Sequence, residues 1–162
     1  MKMNVSELRE QIIGPTLKYL GITSSVAEEL LLGTAALESK LNPLCQGDDG
    51  LGIYQITPDQ HRQIWDQYLA FKPDLASKVR GLASQHRFLQ DPDKELSWNL
   101  SYATAIAWLI YQREEIVLPK HSEVHQLGQL WLKCFGKNRS SDKSERRFNG
   151  WLTNYRRSLA AA

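Results

Sequence analysis

The residues best suited to chemistry lie where an apolar helical stretch gives way to a glycine-rich loop. Glu38 stands at the end of that stretch, flanked by Leu37 and Leu41. The loop that follows contains Gly50-Leu51-Gly52-Ile53-Tyr54-Gln55. A helix C-terminus carries partial negative charge, which favours the protonated form of a carboxyl group placed there. Such a group can act as a general acid. From the residues alone, a solvated glutamate at a helix end is the simpler interpretation.

Two short motifs around Glu38 resemble those of a known enzyme family. The first reads Glu38-Ser39-x-Leu41-Asn42-Pro43, and the second reads Gly52-Ile53-Tyr54-Gln55-Ile56-x-Pro58. In this order they resemble the soluble lytic transglycosylases, which are lysozyme-like enzymes that cleave peptidoglycan. The patterns of that family are Glu-Ser-x-Phe/Leu-Asn-Pro and Gly-Leu-Met-Gln-Ile-x-Pro. The chain is also similar, through its N-terminal Arg-Glu-Gln-Ile-Ile-Gly-Pro-Thr-Leu, to transglycosylase-like proteins of tailed bacteriophages.

The resemblance implies roles for seven residues. Glu38 would be the catalytic acid/base, and Ser39 would order the turn beside it. The others would line the groove that binds the glycan strand: Gly52, Ile53, Tyr54, Gln55 and Tyr102. Tyr54 replaces the methionine of the family pattern, and we expect its flat ring to form an apolar wall that stacks on a sugar. Gln55 could instead satisfy backbone groups of its own loop.

Two later parts of the chain depart from the family pattern. Asn99–Ala107 approximates Asn-x-x-x-Gly-x-x-Tyr-Leu, but Ile106 stands where a groove tyrosine is expected. Tyr102 or Tyr111 would have to replace it, with a shift of one helical turn. Near the C-terminus, Phe135 stands where the family has a tyrosine. A missing hydroxyl at these places would weaken the positioning of the catalytic glutamate or of the substrate.

Three functions are compatible with these residues. In the lytic transglycosylase reaction that the resemblance implies, Glu38 protonates the oxygen between N-acetylmuramic acid and N-acetylglucosamine and then takes the proton of the C6 hydroxyl. The substrate's own acetamido group stabilises the developing cation, and a 1,6-anhydro sugar results. A muramidase on the same fold needs a second carboxylate about 5–9.5 Å away. Asp48 and Asp49 are the candidates in the loop, although Asp-Gly is also a common turn dipeptide. The third function is that of a non-catalytic virion protein that keeps the fold.

None of these functions needs a cofactor or a metal. Cys45 and Cys134 form neither a metal motif nor a disulfide framework. The histidines show no coherent ligand spacing: His61, His86, His121 and His125. We therefore expect no metal site.

The expected partner is the glycan strand of peptidoglycan, together with other phage tail or virion proteins if the chain is part of a particle. The N-terminus lacks the apolar core of a signal peptide. We therefore expect the protein to reach the cell wall from a virion tail or ejected assembly, or as a released lysin.

Apolar residues recur at helical spacing along most of the chain that must position Glu38 and the glycine-rich loop. The fold is therefore predicted to be mostly α. Residues 39–57 are predicted to form a loop with room for a very short β-hairpin. We expect Gly14-Pro15 to break or kink the first helix. Helices are predicted from Asn4, from Ser25 to before Asn42, from Thr57, from about Pro73 to Gln90, from about Lys94 to Ile116 (the longest), from Ser122 to about Phe135, and over about 144–158. Together with the resemblance, this predicts a single lysozyme-like domain over residues 1–162.

Composition and charge narrow the possible partners. Of the 162 residues, 42% are hydrophobic and 23% are charged, which favours a folded domain over a disordered chain. No apolar run reaches the ~18 residues of a membrane span, so no stable membrane insertion is expected. The net charge of +2 conceals a basic end, because residues 120–162 hold nine Lys/Arg against three Asp/Glu. Such an end is typical of a solvated face or of a surface for an anionic partner. Nucleic acid is the weaker candidate for that partner.

Overall fold

The computed structural model describes residues 2–120, 123–136 and 141–162, with the backbone alone at 141–142. In this part of the chain 71% of the residues are helical and there is no β-sheet. We number the helices α1 (the consecutive segments Val5–Glu7, Leu8–Ile13 and Gly14–Tyr19), α2 (Ser25–Ser39), α3 (Pro58–Gln67), α4 (Pro73–Leu82), α5 (Arg87–Gln90), α6 (Glu95–Trp98), α7 (Leu100–Arg113), α8 (Val124–Phe135) and α9 (Ser141–Ala161). The prediction of a mostly α fold is confirmed.

Helix α1 continues through Gly14-Pro15, so the expected break there is wrong. Gly14 keeps helical dihedral angles, with φ −57° and ψ −54°. The preceding segment, Leu8–Ile13, is π-helical. Proline lacks an N–H and clashes with the carbonyl four residues earlier in a regular α-helix. The wider π turn changes that spacing, and Pro15 then occupies the first turn of the next α segment, where its N–H is not needed.

Helix α2 ends in a way that fixes the direction of the loop after it. Lys40 and Leu41 both adopt left-handed backbone angles, with φ 55° and 62°. Their amides donate to carbonyls of the last turn, Lys40 to Ala36 at 3.0 Å and Leu41 to Ala35 at 3.2 Å. These bonds satisfy carbonyl groups that a helix end leaves without a partner. The predicted bounds of this helix are confirmed.

The predicted helix over residues 94–116 is interrupted, and it is not the longest. Asn99 separates α6 from α7, and its side-chain oxygen accepts from the amide of Tyr102 at 3.0 Å. An asparagine side chain that bonds nearby amides competes with the helical backbone, so it favours a cap over a helix interior. The predicted helix from Pro73 to Gln90 is likewise divided into α4 and α5. The longest helix is α9, which contains the predicted basic helix at about 144–158.

Helix α7 lies at the centre of the core. Every residue from Tyr102 to Tyr111 is buried, as its nearly continuous apolar pattern predicts. Buried apolar side chains from the other described helices except α5 join it in one hydrophobic cluster, and α5 packs against that cluster through the partly buried Phe88. The glycine-rich loop forms only isolated bridges, Gln46 with Leu51 and Leu51 with Ile56, in place of a hairpin of regular strands. None of the described helices is long and apolar enough to cross a membrane.

Candidate active site

Glu38 lies in the last turn of α2, where its carboxylate contacts a residue of α8. Its Oε2 accepts a hydrogen bond from the indole Nε1 of Trp131 at 3.1 Å. Glu38 is half-buried, whereas Trp131 is 1% exposed. The Trp131 ring stacks on Phe148 of α9, with ring centroids 5.5 Å apart. The packed indole therefore restrains the direction of a carboxylate that solvent can still reach.

A second buried polar pair lies one helical turn before Glu38 on the same side of α2. Thr34 Oγ1 is 2.7 Å from the hydroxyl of Tyr111 and donates to the carbonyl of Leu30 at 2.6 Å. Burial raises the pKa of Tyr111, and the hydrogen bond to Thr34 opposes that shift. Tyr111 is therefore a neutral phenol within the core.

The ring of Phe135, a position where the resemblance predicts a tyrosine, packs against Tyr111. Their centroids are 5.1 Å apart, and both rings are fully buried. The hydroxyl in this part of the core is thus supplied by α7. Ile106, the other departure from the family pattern, is a fully buried core residue. Asn138, the expected neighbour in the family's Tyr-Asn pair, lies outside the described residues.

Ser39 joins the two motifs directly. Its buried hydroxyl is 2.6 Å from the carbonyl oxygen of Ile53 and 3.1 Å from that of Ala35. The first contact reaches the loop, and the second reaches back into α2. A single O–H can serve both acceptors only by sharing its proton, and the shorter distance favours Ile53. The end of the helix that contains Glu38 is therefore bonded to the glycine-rich loop.

Gln55 stabilises the loop from within. Its Nε2 donates to the carbonyls of Gly52 at 2.8 Å and Cys45 at 3.1 Å, and its backbone has a left-handed φ of 51°. The side chain is buried. These bonds match the alternative in which Gln55 satisfies backbone groups of its own loop.

Tyr54 does not form a sugar-stacking wall in this structure. The residue is fully buried, and its hydroxyl lies 2.8 Å from Thr104 Oγ1 in α7. Burial raises the pKa of Tyr54 well above its ordinary value. A buried aromatic ring of this size contributes strongly to the core, and its hydroxyl has the partner that burial requires. The expected stacking is corrected to a structural role that fastens the loop to α7.

Tyr102 is also fully buried, so its side chain does not line a groove. Its hydroxyl accepts from Trp65 Nε1 at 2.8 Å and lies 2.6 Å from His61 Nε2. His61 in turn contacts Asp93 through Nδ1 at 2.8 Å. Burial lowers the pKa of His61, whereas the hydrogen bond to Asp93 acts to raise it. The four residues form a hydrogen-bonded network that connects α3 to α7.

Glu38 is the one member of the predicted set whose side chain is not buried. The side chains of Ser39, Ile53, Gln55 and both tyrosines are buried, and so is Gly52. The residues assigned to substrate contact are therefore part of the protein interior in this structure. The sequence did not predict Trp131, which contacts Glu38, or Thr34, which bonds Tyr111 one helical turn earlier. Thr34 precedes Glu38 by four residues and so shares its helix face, but nothing local in the sequence connects Trp131 to Glu38.

The two acidic residues proposed as a second carboxylate line a cavity whose described lining does not include Glu38. Asp48 and Asp49 are exposed and line a cavity of about 530 Å³ together with Thr57 and Arg62. Glu38 is not among the described residues that line this cavity. This position is typical of turn residues in an Asp-Gly sequence.

Metal-binding side chains do not cluster in the part of the chain that the structure describes. No three His, Cys, Asp or Glu residues there lie close enough to hold an ion. His121 falls outside the described residues. Burial raises the pKa of the Cys134 thiol to about 11, so this thiol is not a reactive nucleophile.

Replacing Ser39 by alanine is expected to lower the free energy of unfolding by about 1–3 kcal/mol, because the buried Ile53 carbonyl loses its donor. Urea unfolding measures the change. Ser158→Ala is the control, since that hydroxyl donates to Tyr155 O near the exposed end of α9 and its loss should cost less. Equal effects of the two substitutions would contradict the importance of the Ser39 contact.

Comparisons of the chain with protein-family models, with curated proteins and with solved structures found no match.

Proposed function

We propose that this chain is a peptidoglycan-cleaving lytic transglycosylase in which Glu38 is the single general acid/base. The observation that carries the proposal is the bond from Ser39 Oγ to Ile53 O. It connects the helix end that contains Glu38 to the Gly-Ile-Tyr-Gln loop, so the two resembling motifs form one structural unit. We also propose, as part of the same hypothesis, that the helices are arranged as in lysozyme.

In the proposed reaction, Glu38 donates its proton to the oxygen that joins N-acetylmuramic acid to N-acetylglucosamine. The C1–O bond breaks, and the substrate's acetamido oxygen stabilises the positive charge that develops at C1. The Glu38 carboxylate then removes the proton of the C6 hydroxyl, whose oxygen bonds to C1. The products are a 1,6-anhydro sugar and a new hydroxyl end, and Glu38 regains its proton.

Trp131 is the positioning residue in this mechanism. Its N–H binds one carboxylate oxygen, Oε2, so the rotation of the carboxyl group is restrained. A general acid contributes when its proton lies within hydrogen-bond reach of the leaving oxygen. Restraint by a packed indole lowers the cost of reaching that geometry.

Product analysis tests the proposal. The protein is incubated with purified peptidoglycan, and the released muropeptides are analysed by mass spectrometry. Anhydro ends, lighter than hydrolysed ends by one water, are the expected result. Reducing ends would identify a muramidase instead, and an absence of released fragments would favour a non-catalytic virion protein. Under the proposal the site of action is the cell wall, reached from a phage virion tail or ejected assembly or as a released lysin.

Replacing Trp131 by phenylalanine is expected to lower the cleavage rate about tenfold, since Glu38 keeps its chemistry but loses its restraint. Trp108→Phe is the matched control, because that indole is also buried but donates to Gln112 at 3.1 Å. Both variants should lose some stability from the smaller ring. Initial rates at a temperature where both remain folded, with peptidoglycan as substrate, measure the effect. Equal rate losses would show that Trp131 has no positioning role.

A further inference from the structure

A cleft of about 400 Å³ lies beside the last turn of α2, between that turn and α9. Its walls include the apolar side chains of Leu37, Leu41 and Trp151. Four exposed cationic residues also line it: Lys2, Lys40, Arg146 and Arg147. The described residues that line the cleft include no Asp or Glu. An apolar surface lined by cations suits a small anionic ligand that also has apolar groups.

Backbone hydrogen bonds and a ring contact fix part of the cleft wall. Lys40 is held in a left-handed conformation by the two bonds at the end of α2. Gly150 of α9 also lines the cleft, and a Cβ added there would meet no atom within 4 Å. Trp151 is stacked on Tyr155 with nearly parallel rings, 5.5 Å between centroids. The backbone of Lys40 and the Trp151 ring are therefore held in place by contacts within the chain.

The last turn of α2 contains both Glu38 and a residue that lines the cleft, Leu37. Leu37 is the neighbour of Glu38 in the chain and lies about 100° around the helix axis from it. The side chains of Leu37 and Glu38 therefore lie about one helix diameter apart, ~10 Å. An extended peptide of four residues spans about 13–14 Å. A peptide of this length exceeds that separation.

We propose that this cleft binds the carboxylate-bearing peptide that peptidoglycan carries on the lactyl group of N-acetylmuramic acid. The proposal rests on the proposed function for the identity of the ligand. The free carboxylates of the peptide match Lys2, Lys40 and Arg147, and its alanine methyl groups match Leu37 and Trp151. A cleft of this size suits a short peptide better than a nucleic-acid duplex, whose phosphates need cations spread along a longer surface.

Direct binding tests the cleft without any cleavage. Calorimetry measures the affinity of the free tetrapeptide L-Ala-D-Glu-diaminopimelate-D-Ala for the Glu38→Gln chain. We expect Arg147→Glu to weaken that affinity tenfold or more, since loss of a charge-assisted bond and the new repulsion act together. Arg157→Glu, also exposed on α9 but outside the cleft, should leave it unchanged. The proposal would be overturned if the Glu38→Gln chain did not bind the tetrapeptide. It would also be overturned if adding Arg147→Glu left the affinity unchanged.

Cleavage assays then separate this proposal from the proposed function. Glycan strands that carry peptides are compared with strands from which an amidase has removed them. Arg147→Glu should raise the KM for the first substrate and leave the KM for the second unchanged. If the unmodified chain cleaves neither substrate, the proposed function is refuted. The calorimetric result would then still show whether the cleft binds the peptide. Binding of duplex DNA or anionic lipid vesicles that depends on Arg147, without peptide binding, would also overturn the assignment.

Discussion

Replacing Glu38 by glutamine is expected to reduce peptidoglycan cleavage about 10²–10⁴-fold, the usual contribution of a general acid or base. Glutamine has nearly the same shape and keeps an oxygen that can accept the N–H of Trp131. It cannot give up a proton to the leaving oxygen. We therefore expect the free energy of unfolding to change by no more than about 1 kcal/mol. Release of soluble fragments from labelled peptidoglycan measures the rate, and urea unfolding measures the stability.

Glu29→Gln provides the matched control on the same helix. Glu29 is buried, and both of its oxygens accept from Arg156, at 2.8 and 3.1 Å. The substitution removes a carboxylate from a paired site away from Glu38, so stability should fall while cleavage persists. Unchanged cleavage by Glu38→Gln would exclude this glutamate as the acid/base.

Features that depend on neighbours in the chain could be predicted from the sequence. The capping box at Thr57 and Gln60 is present as expected, because its bonds join residues three apart. Helix α2 ends before Asn42-Pro43 as predicted, although the left-handed backbone of Lys40 and Leu41 ends it at Ser39, ahead of the residue before proline. The central burial of α7 follows from its apolar composition. In each case the decisive contacts lie within one or two helical turns.

The direction of a side chain relative to distant elements could not be predicted in the same way. Tyr54 was expected to face a groove, yet it points into the core because α7 supplies Thr104 as a partner for its hydroxyl. The bond between Trp131 and Glu38 spans 93 positions and leaves no local pattern. Asn99 was read as part of a helix because its apolar neighbours outweighed its own tendency to cap. Tertiary packing decides all three.

Replacing Gly52 by alanine is expected to lower the free energy of unfolding by roughly 2–5 kcal/mol. Gly52 has a φ of 72°, which costs an L-residue with a side chain about 1–2 kcal/mol. An added Cβ would also overlap the carbonyl oxygen of Leu96 in α6, and overpacking of this kind costs about 1–3 kcal/mol. Relief of the overlap requires the loop to move away from α6. Urea unfolding measures the loss.

Such a movement of the loop would also affect Glu38. The Gly52 carbonyl accepts from the backbone and the side chain of Gln55, at 3.1 and 2.8 Å. The next residue along, Ile53, supplies the carbonyl to which Ser39 donates. We therefore expect Gly52→Ala to lower the cleavage rate even at temperatures where the chain remains folded. The initial rate on peptidoglycan, measured beside the unfolding curve, checks this.

Gly21→Ala separates backbone strain from overlap. Gly21 has a similar φ of 86°, but a Cβ there would meet no atom within 4 Å. This variant should therefore lose only about 1–2 kcal/mol and retain its cleavage rate. The difference between the two variants isolates the overlap with Leu96. If Gly52→Ala is no less stable than Gly21→Ala and cleaves as fast as the unmodified chain, the loop does not depend on its close approach to α6.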